Sequence, residues 1–303
     1  MTDLFQCSGE VAAAQQAGLP IVALESTIIT HGMPYPQNLK TAESVQQVVR
    51  DAGAVPATIA VLNGQLKIGL EAAELNALAQ SSNAMKLSRA DLALAMATGR
   101  TGATTVAATM IAANAASIAV FATGGIGGVH RGAESSFDIS ADVQELAQTP
   151  VTVVAAGAKA ILDIPKTLEV LETLGVPVIT FGQAEFPAFW ARSSGLASPQ
   201  RLDSARDIAA SHRMRARLGV PGGQLVANPI PMPDEIPLAL MTPIIEQALA
   251  EAESRGIGQN QVTPFLLGRI FELTEGRSLT ANIALVRNNA RLAAEIAGEL
   301  TKR

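Results

Sequence analysis

Aromatic side chains are scarce in this chain, 3% of 303 residues, with one Trp and one Tyr. A protein that stacks on exposed bases needs more of them. Positive charge is short as well: 22 Lys and Arg against 27 Asp and Glu leave a net charge of −5. No basic footprint for nucleic acid results, although an anionic small molecule can still meet a few local cations. Cysteine is nearly absent. Cys7 alone rules out an intrachain disulfide, fits a reducing compartment and reads as an inert thiol near the terminus.

Charge of either sign is thin. Charged residues make up 16% of the chain, against roughly 25% in an average soluble domain. Ala, Val, Ile, Leu and Gly fill the difference, which suits a tightly packed sheet under helices. The opening MTDLFQCSGE has neither a basic region nor a long apolar core, so no signal peptide is expected. The uncharged stretch from Thr101 to Val129 is long enough to span a bilayer. Its five threonines, Asn114 and Ser117 point instead to a buried helix over 101–114 and a buried strand Ile118–Thr123. Neither nucleic acid nor membrane is an expected partner, and a cytoplasmic location follows by default.

What is present is an alternation. Short β-branched and aliphatic runs at Ile21–Leu24, Thr58–Leu62, Ile118–Ala122, Val151–Ala155, Val176–Thr180 and Gln224–Val226 predict strands buried on both faces. Amphipathic segments at Leu39–Ala52, Ala72–Ala79, Arg89–Ala97 and Thr167–Leu174 predict helices between them. Longer helices are predicted at Arg201–Leu218, Pro237–Arg255 and Ala281–Lys302, and the NPIPMP stretch (Asn228–Pro233) must be extended or turning. The pattern is that of an α/β fold, an α/β/α sandwich with a mostly parallel central sheet and helices on both faces. Without a linker, a repeat or a low-complexity tail, residues 1–303 read as a single domain.

In open parallel sheets, ligands bind beyond the carboxyl ends of the strands. Glu25 follows the first apolar run directly, and His31 lies a few residues later. Glu25 reads equally as a general acid or as a residue that caps the next helix or pairs with a lysine. Lys86 could meet a phosphate, but as a bare lysine it reads first as a solvated one. It precedes Ser88, an expected N-cap with Asp91 at the capping-box position. GRTGATTVAATM places small and hydroxyl residues at a turn into a helix, where backbone N–H groups favour an anion.

The densest segment is FATGGIGGVHRGAESSFDISADV. Its glycines allow close backbone approach to a ligand but do not match a dinucleotide fingerprint. Asp138, Ser140 and Asp142 could hold a hard cation with its water and phosphate ligands, or cap the next helix. Lys159 follows an apolar run and is flanked by Gly157, Ala158, Ala160 and Ile161. A poorly hydrated amine suits imine formation, although lysines in such settings more often snorkel to the surface. Lys166, beside Glu169, reads as an ordinary surface residue. Asn282, Asn288 and Asn289 could bond a base or a sugar hydroxyl, or serve as caps.

Taken together, ALESTIITHGMPYPQN, LSRADL, GATTVAATM, ATGGIGGVHRGAE with DISADV, GAKAILDIPKTLEVLETLGVPV, FPAFW with RSSG, NPIP and SLTANIALVRNNA resemble the pseudouridine-5′-phosphate glycosidase family, from about Leu24 to Ala297. The family often has His or Thr before the metal-binding Asp, where this chain reads Ser135–Ser136–Phe137. The resemblance implies reversible cleavage of the C–C glycosidic bond of pseudouridine 5′-phosphate to uracil and ribose 5-phosphate. It implies Glu25 as proton donor, Lys159 as nucleophile and Asp138 as ligand of one divalent cation per subunit, usually Mn2+. Lys86, Val106, Ser140, Ala141 and Asp142 would contact the substrate, and Thr123, His130 and Asn282 would line the same pocket. The implied assembly is a homotrimer. The residues themselves leave two other readings open, a Schiff-base aldolase and a sugar-phosphate binding protein.

Overall fold

The computed structural model describes residues 4–257 and 262–302. Its strands are β1 (Phe5–Cys7), β2 (Ile21–Leu24), β3 (Val55–Leu62), β4 (Gln65–Ile68), β5 (Met85–Leu87), β6 (Gly102–Thr104), β7 (Val120–Ala122), β8 (Thr152–Ala155), β9 (Val178–Phe181), β10 (Gln200–Leu202) and β11 (Gln224–Ala227). Seven of them form a parallel run in the order β3-β2-β7-β8-β11-β9-β10. β7, β8 and β11 are buried along their whole length, which is why they are apolar apart from Thr152 and Gln224 at the starts of β8 and β11.

β3 changes partners halfway. Val55–Thr58 pair with β2 in parallel, whereas Ile59–Leu62 pair antiparallel with β4 and, at Ala60–Val61, with β6. β5 then lies parallel to β6, and β1 parallel to β4. This annex brings Lys86, the middle residue of β5, into the fold.

The first helices are α1 (Gly9–Ala17), α2 (Thr27–His31), α3 (Gln37–Asp51), α4 (Ala72–Gln80), α5 (Leu92–Ala97) and α6 (Val106–Ala115). They are followed by α7 (Ala133–Ser136), α8 (Ala141–Gln148), α9 (Ile164–Thr173), α10 (Ala205–Leu218), α11 (Leu238–Ser254), α12 (Val262–Leu273) and α13 (Arg277–Thr301). They pack in two groups. α13 lies against β2, β7 and β8 and is flanked by α3 and α10, while α6, α8 and α9 pack side by side, α6 against β2, β3 and β7, α8 against β11 and α9 against β9. The expected mostly parallel α/β architecture is the one observed, and one apolar cluster runs from Val11 to Ala297.

Several boundaries differ from the sequence reading. The helix expected over 101–114 is a strand and a helix: Gly102–Thr104 pair with β3 and β5 before α6 starts at Val106. A buried backbone must be hydrogen-bonded, and sheet pairing on both sides outweighed the helical composition. Ser88 does not cap with its side chain. Asp91 accepts from the Ser88 N–H at 3.0 Å, and α5 begins only at Leu92. The segment from Arg201 likewise opens as β10, and Ser204 then caps α10 by accepting from Asp207 N at 3.1 Å. Strands of three or four residues such as β1, β4 and β6 are too short to display a period.

Candidate active site

Three neighbouring strands end in residues the sequence singled out: β2 in Glu25, β7 in Thr123, and β8 in the turn leading to Lys159. Glu25 is half-buried, and each carboxylate oxygen accepts a hydroxyl. Thr123 donates to Oε1 and Thr27, the first residue of α2, to Oε2. The carboxylate is thereby held from two sides. Beneath it a cavity of ≈ 20 Å³ is bounded by Ile28, Thr41, Val45, Thr58, Gly124 and Val286, about the space one water occupies.

Lys159 arrives by a turn that needs glycine. Gly157 has φ +84, and a Cβ there would stand 2.9 Å from the Phe186 ring. Ile126 N donates to Gly157 O, and Lys159 N donates to Ile126 O, both at 3.1 Å. The glycine loop after β7 and the turn after β8 are thus stitched together. The glycines serve packing as well: a Cβ on Gly127 would lie 2.2 Å from Ser140 Oγ and 2.8 Å from Asp142 Oδ2, and one on Gly125 would lie 2.7 Å from Phe189.

Asp142 is buried and occupied. Oδ1 accepts from Ala107 N at 2.9 Å and Oδ2 from Gly127 N at 2.8 Å. The anion expected at the start of α6 is therefore the protein's own carboxylate, set where the helix dipole favours it. Ser140 caps α8, accepting from Asp142 N at 3.3 Å. Val106 and Ala141 are the first residues of α6 and α8, so their polar offer is backbone N–H.

Lys86 ties the group together. Its side chain reaches solvent, yet burial of the ammonium, followed by the charge of Lys159, holds its pKa below the ordinary lysine range. Asp142 and Glu25 oppose that shift. All three charges thus lie within electrostatic reach of one ammonium. His31, at the end of α2, is lowered by burial and then by Lys86, which places it on the same rim.

Asp138 and His130 stand further out. His130 N donates to Asp138 O at 3.0 Å, while His130 Nδ1 and Asp138 Oδ2 are 4.0 Å apart on an exposed loop. Among the described residues no three His, Cys, Asp or Glu side chains form a metal-holding group. One carboxylate suits a cation that keeps most of its waters and takes a substrate phosphate, not a closed protein cage. Asn282 Oδ1 accepts from Trp190 Nε1 at 2.8 Å, which turns its amide NH2 away from the indole. Lys166 is exposed and paired with Glu134 at 2.9 Å and Asp163 at 3.0 Å, as a surface lysine would be.

Two residues escaped the sequence reading. Thr27 sits two positions after Glu25, a spacing that could have marked it. Arg89 pairs with the buried Glu145, fastening the loop after Lys86 to the helix that begins beside Asp142. Nothing local in the sequence announces that pair.

The sequence signature of the indigoidine synthase A like protein family matches residues 10–299. A Paracoccus denitrificans protein named pseudouridine-5′-phosphate glycosidase is 68% identical over 302 residues, 99% of both chains. One of the same name from Roseobacter denitrificans is 69% identical over 301 residues, 99% of this chain and 97% of its own. A solved prealnumycin C-glycosynthase in complex with ribulose 5-phosphate is 37% identical and superposes with a TM-score of 0.92, covering 99% of this chain and 98% of that one. No helix among the described residues is long and apolar enough to cross a membrane. With matches that extend over nearly the whole of each chain, the protein belongs to the indigoidine synthase A-like family and, within it, to the pseudouridine-5′-phosphate glycosidase enzymes.

Proposed function

We propose that the chain reversibly cleaves the C–C glycosidic bond of pseudouridine 5′-phosphate to uracil and ribose 5-phosphate, with Lys159 as a covalent nucleophile. The observation that carries this reading is the placement of the Glu25 carboxylate, Thr123 and the turn to Lys159 at the ends of three adjacent strands, with Lys86 in electrostatic reach of Glu25, Lys159 and Asp142. Full-length relatives named for this activity support it, as does the solved relative that holds a sugar phosphate.

A C-glycoside has no glycosidic heteroatom to protonate, so the two-carboxylate scheme of ordinary glycosidases does not apply. An amine solves the problem. Glu25, oriented by Thr27 and Thr123, delivers a proton to the ring oxygen as the C1′–O4′ bond breaks. Lys159 Nζ bonds to C1′. The C1′–C5 bond then breaks, its electron pair stays on uracil C5, and C5 takes a proton. The remaining imine takes up one water to return Lys159 and release ribose 5-phosphate.

Lys86 supplies a cation for the phosphate, with the backbone N–H groups of Val106 and Ala141 and the Ser140 hydroxyl to meet it. Asp142 orients these helix starts, and Thr123, His130 and Asn282 line the pocket. One Mn2+ per subunit would be held by Asp138, where it would neutralise phosphate charge. A homotrimer and a role in pseudouridine breakdown belong to the same reading. Mass measurement in solution tests the assembly.

The test is incubation with pseudouridine 5′-phosphate and Mn2+, following free uracil. Borohydride added with ribose 5-phosphate should leave a stable adduct on Lys159. An adduct without uracil release from pseudouridine 5′-phosphate favours a Schiff-base aldolase. Absence of both leaves a sugar-phosphate binding protein.

A further inference from the structure

Asn289 is fully buried on α13, a helix whose other buried residues are mostly Ala, Leu and Val. A buried amide is costly unless hydrogen-bonded, and this one is bonded on both sides. Nδ2 donates to Thr123 O at 2.8 Å and reaches Gly124 O at 3.4 Å, while Oδ1 accepts from Asn228 Nδ2 at 3.1 Å. Thr123 and Asn228 are the residues that follow β7 and β11. Between those strands runs β8, the strand that leads to Lys159.

The backbone completes the frame. Thr123 N donates to Val154 O at 3.0 Å, Asn228 N to Ala155 O at 2.8 Å, and Ala156 N to Gly124 O at 2.9 Å. Next door, Asn288 Nδ2 donates to Pro229 O at 3.1 Å. One side chain therefore bridges the two strand ends that flank the nucleophile's strand. The carbonyl it holds belongs to the residue whose hydroxyl holds Glu25.

We propose that Asn289 is a positioning residue for catalysis: through Thr123 it fixes the Glu25 carboxylate relative to the end of β8 that carries Lys159. Neither its burial nor its bonds leave it free to touch substrate. Its part is to set the angle at which the Thr123 hydroxyl meets Glu25. The inference rests on the reading that Glu25 moves the proton.

The test is a double-mutant cycle. Asn289→Leu removes all three bonds at similar volume. It should lower kcat on the order of 10- to 100-fold, the scale of a small misplacement of a reacting group, with KM little changed. In a Thr123→Val background the same substitution should add almost nothing, because the link is already cut. Equal losses in both backgrounds, or a loss confined to thermal stability, overturn the proposal. Should Asn289→Leu fail to fold, Asn228→Ala removes only the Oδ1 partner. It should lower kcat at unchanged KM, and unchanged kcat overturns the proposal. Glu25→Gln separates the two levels. If it leaves uracil release intact, the reading of Glu25 fails. If it abolishes release while Asn289→Leu does not reduce it, only the positioning role fails.

Discussion

Polar groups gather at both ends of β8 and β11, and the two gatherings differ in kind. At the amino end, Thr152 and Gln224 meet α10. Gln224 Nε2 donates to Thr152 Oγ1 and to Ile208 O, both at 3.1 Å, Ser211 donates to Gln224 Oε1 at 2.9 Å, and Thr152 Oγ1 lies 3.0 Å from His212 Nδ1. The members are neutral and bonded to one another. At the carboxyl end, Lys86, Lys159, Glu25 and Asp142 press charges together, and burial costs Lys86 part of its proton affinity. The same strands thus have a closed end that answers to stability and an open, charged end that answers to chemistry.

The sharpest way to break this contrast is at Lys159. Lys159→Ala should reduce uracil release by about 10⁴-fold or more, the scale seen when a covalent nucleophile is lost, while the melting temperature stays near that of the wild type. Substantial residual turnover would sink the covalent mechanism. Glu25→Gln should cost less, about 10²- to 10⁴-fold in kcat, as expected of a positioned proton donor. Steady-state kinetics would check it, and a kcat equal to that of the wild type would count against Glu25. Asp138→Ala should remove the stimulation by added Mn2+. A titration of activity against Mn2+ that matches the wild type would move the metal elsewhere.

How much of this was legible in the sequence depended on the length of each strand. Glu25, Thr123 and Lys159 follow β2, β7 and β8, whose apolar runs stand out against their flanks. Lys86 was harder. β5 has three residues with the lysine in the middle, and it is held by β6, which lay hidden in a stretch that read as helix. Only the pairing of distant segments brings that lysine within electrostatic reach of Glu25, Lys159 and Asp142. Asp142 looked like a candidate ligand beside Asp138, and its two bonds to backbone N–H groups depend on α6 and the glycine loop coming together. Asn289 read in the sequence as an amide for a base or a sugar hydroxyl, or as a cap, whereas its buried amide bonds Thr123 O and Asn228 instead. Its partners Thr123 and Asn228 lie 166 and 61 positions away in sequence. The full-length resemblance supplied the residues' roles; it could not supply these distances.

The smallest effect belongs to the closed end. Burial, then the neighbouring Arg215 and Arg213, lowers the His212 pKa from its ordinary 6.5. Thr152 Oγ1 accepts from Gln224 and can donate to Nδ1, a pairing that requires the neutral ring. Because the folded pKa lies below the unfolded one, the unfolded chain binds the extra proton first as pH falls through 6.5. His212 therefore leaves stability untouched above that pH and subtracts from it progressively below, until the folded ring also titrates. His212→Asn keeps an acceptor for Thr152 and removes the titration. Its melting temperature should decline less than that of the wild type as pH drops from about 7 to about 5, with kcat for uracil release unchanged at neutral pH. Parallel melting curves for the two proteins would show that the amino end of the sheet is not pH-sensitive through His212. A fall in kcat would show that the two ends of β8 are coupled rather than separate.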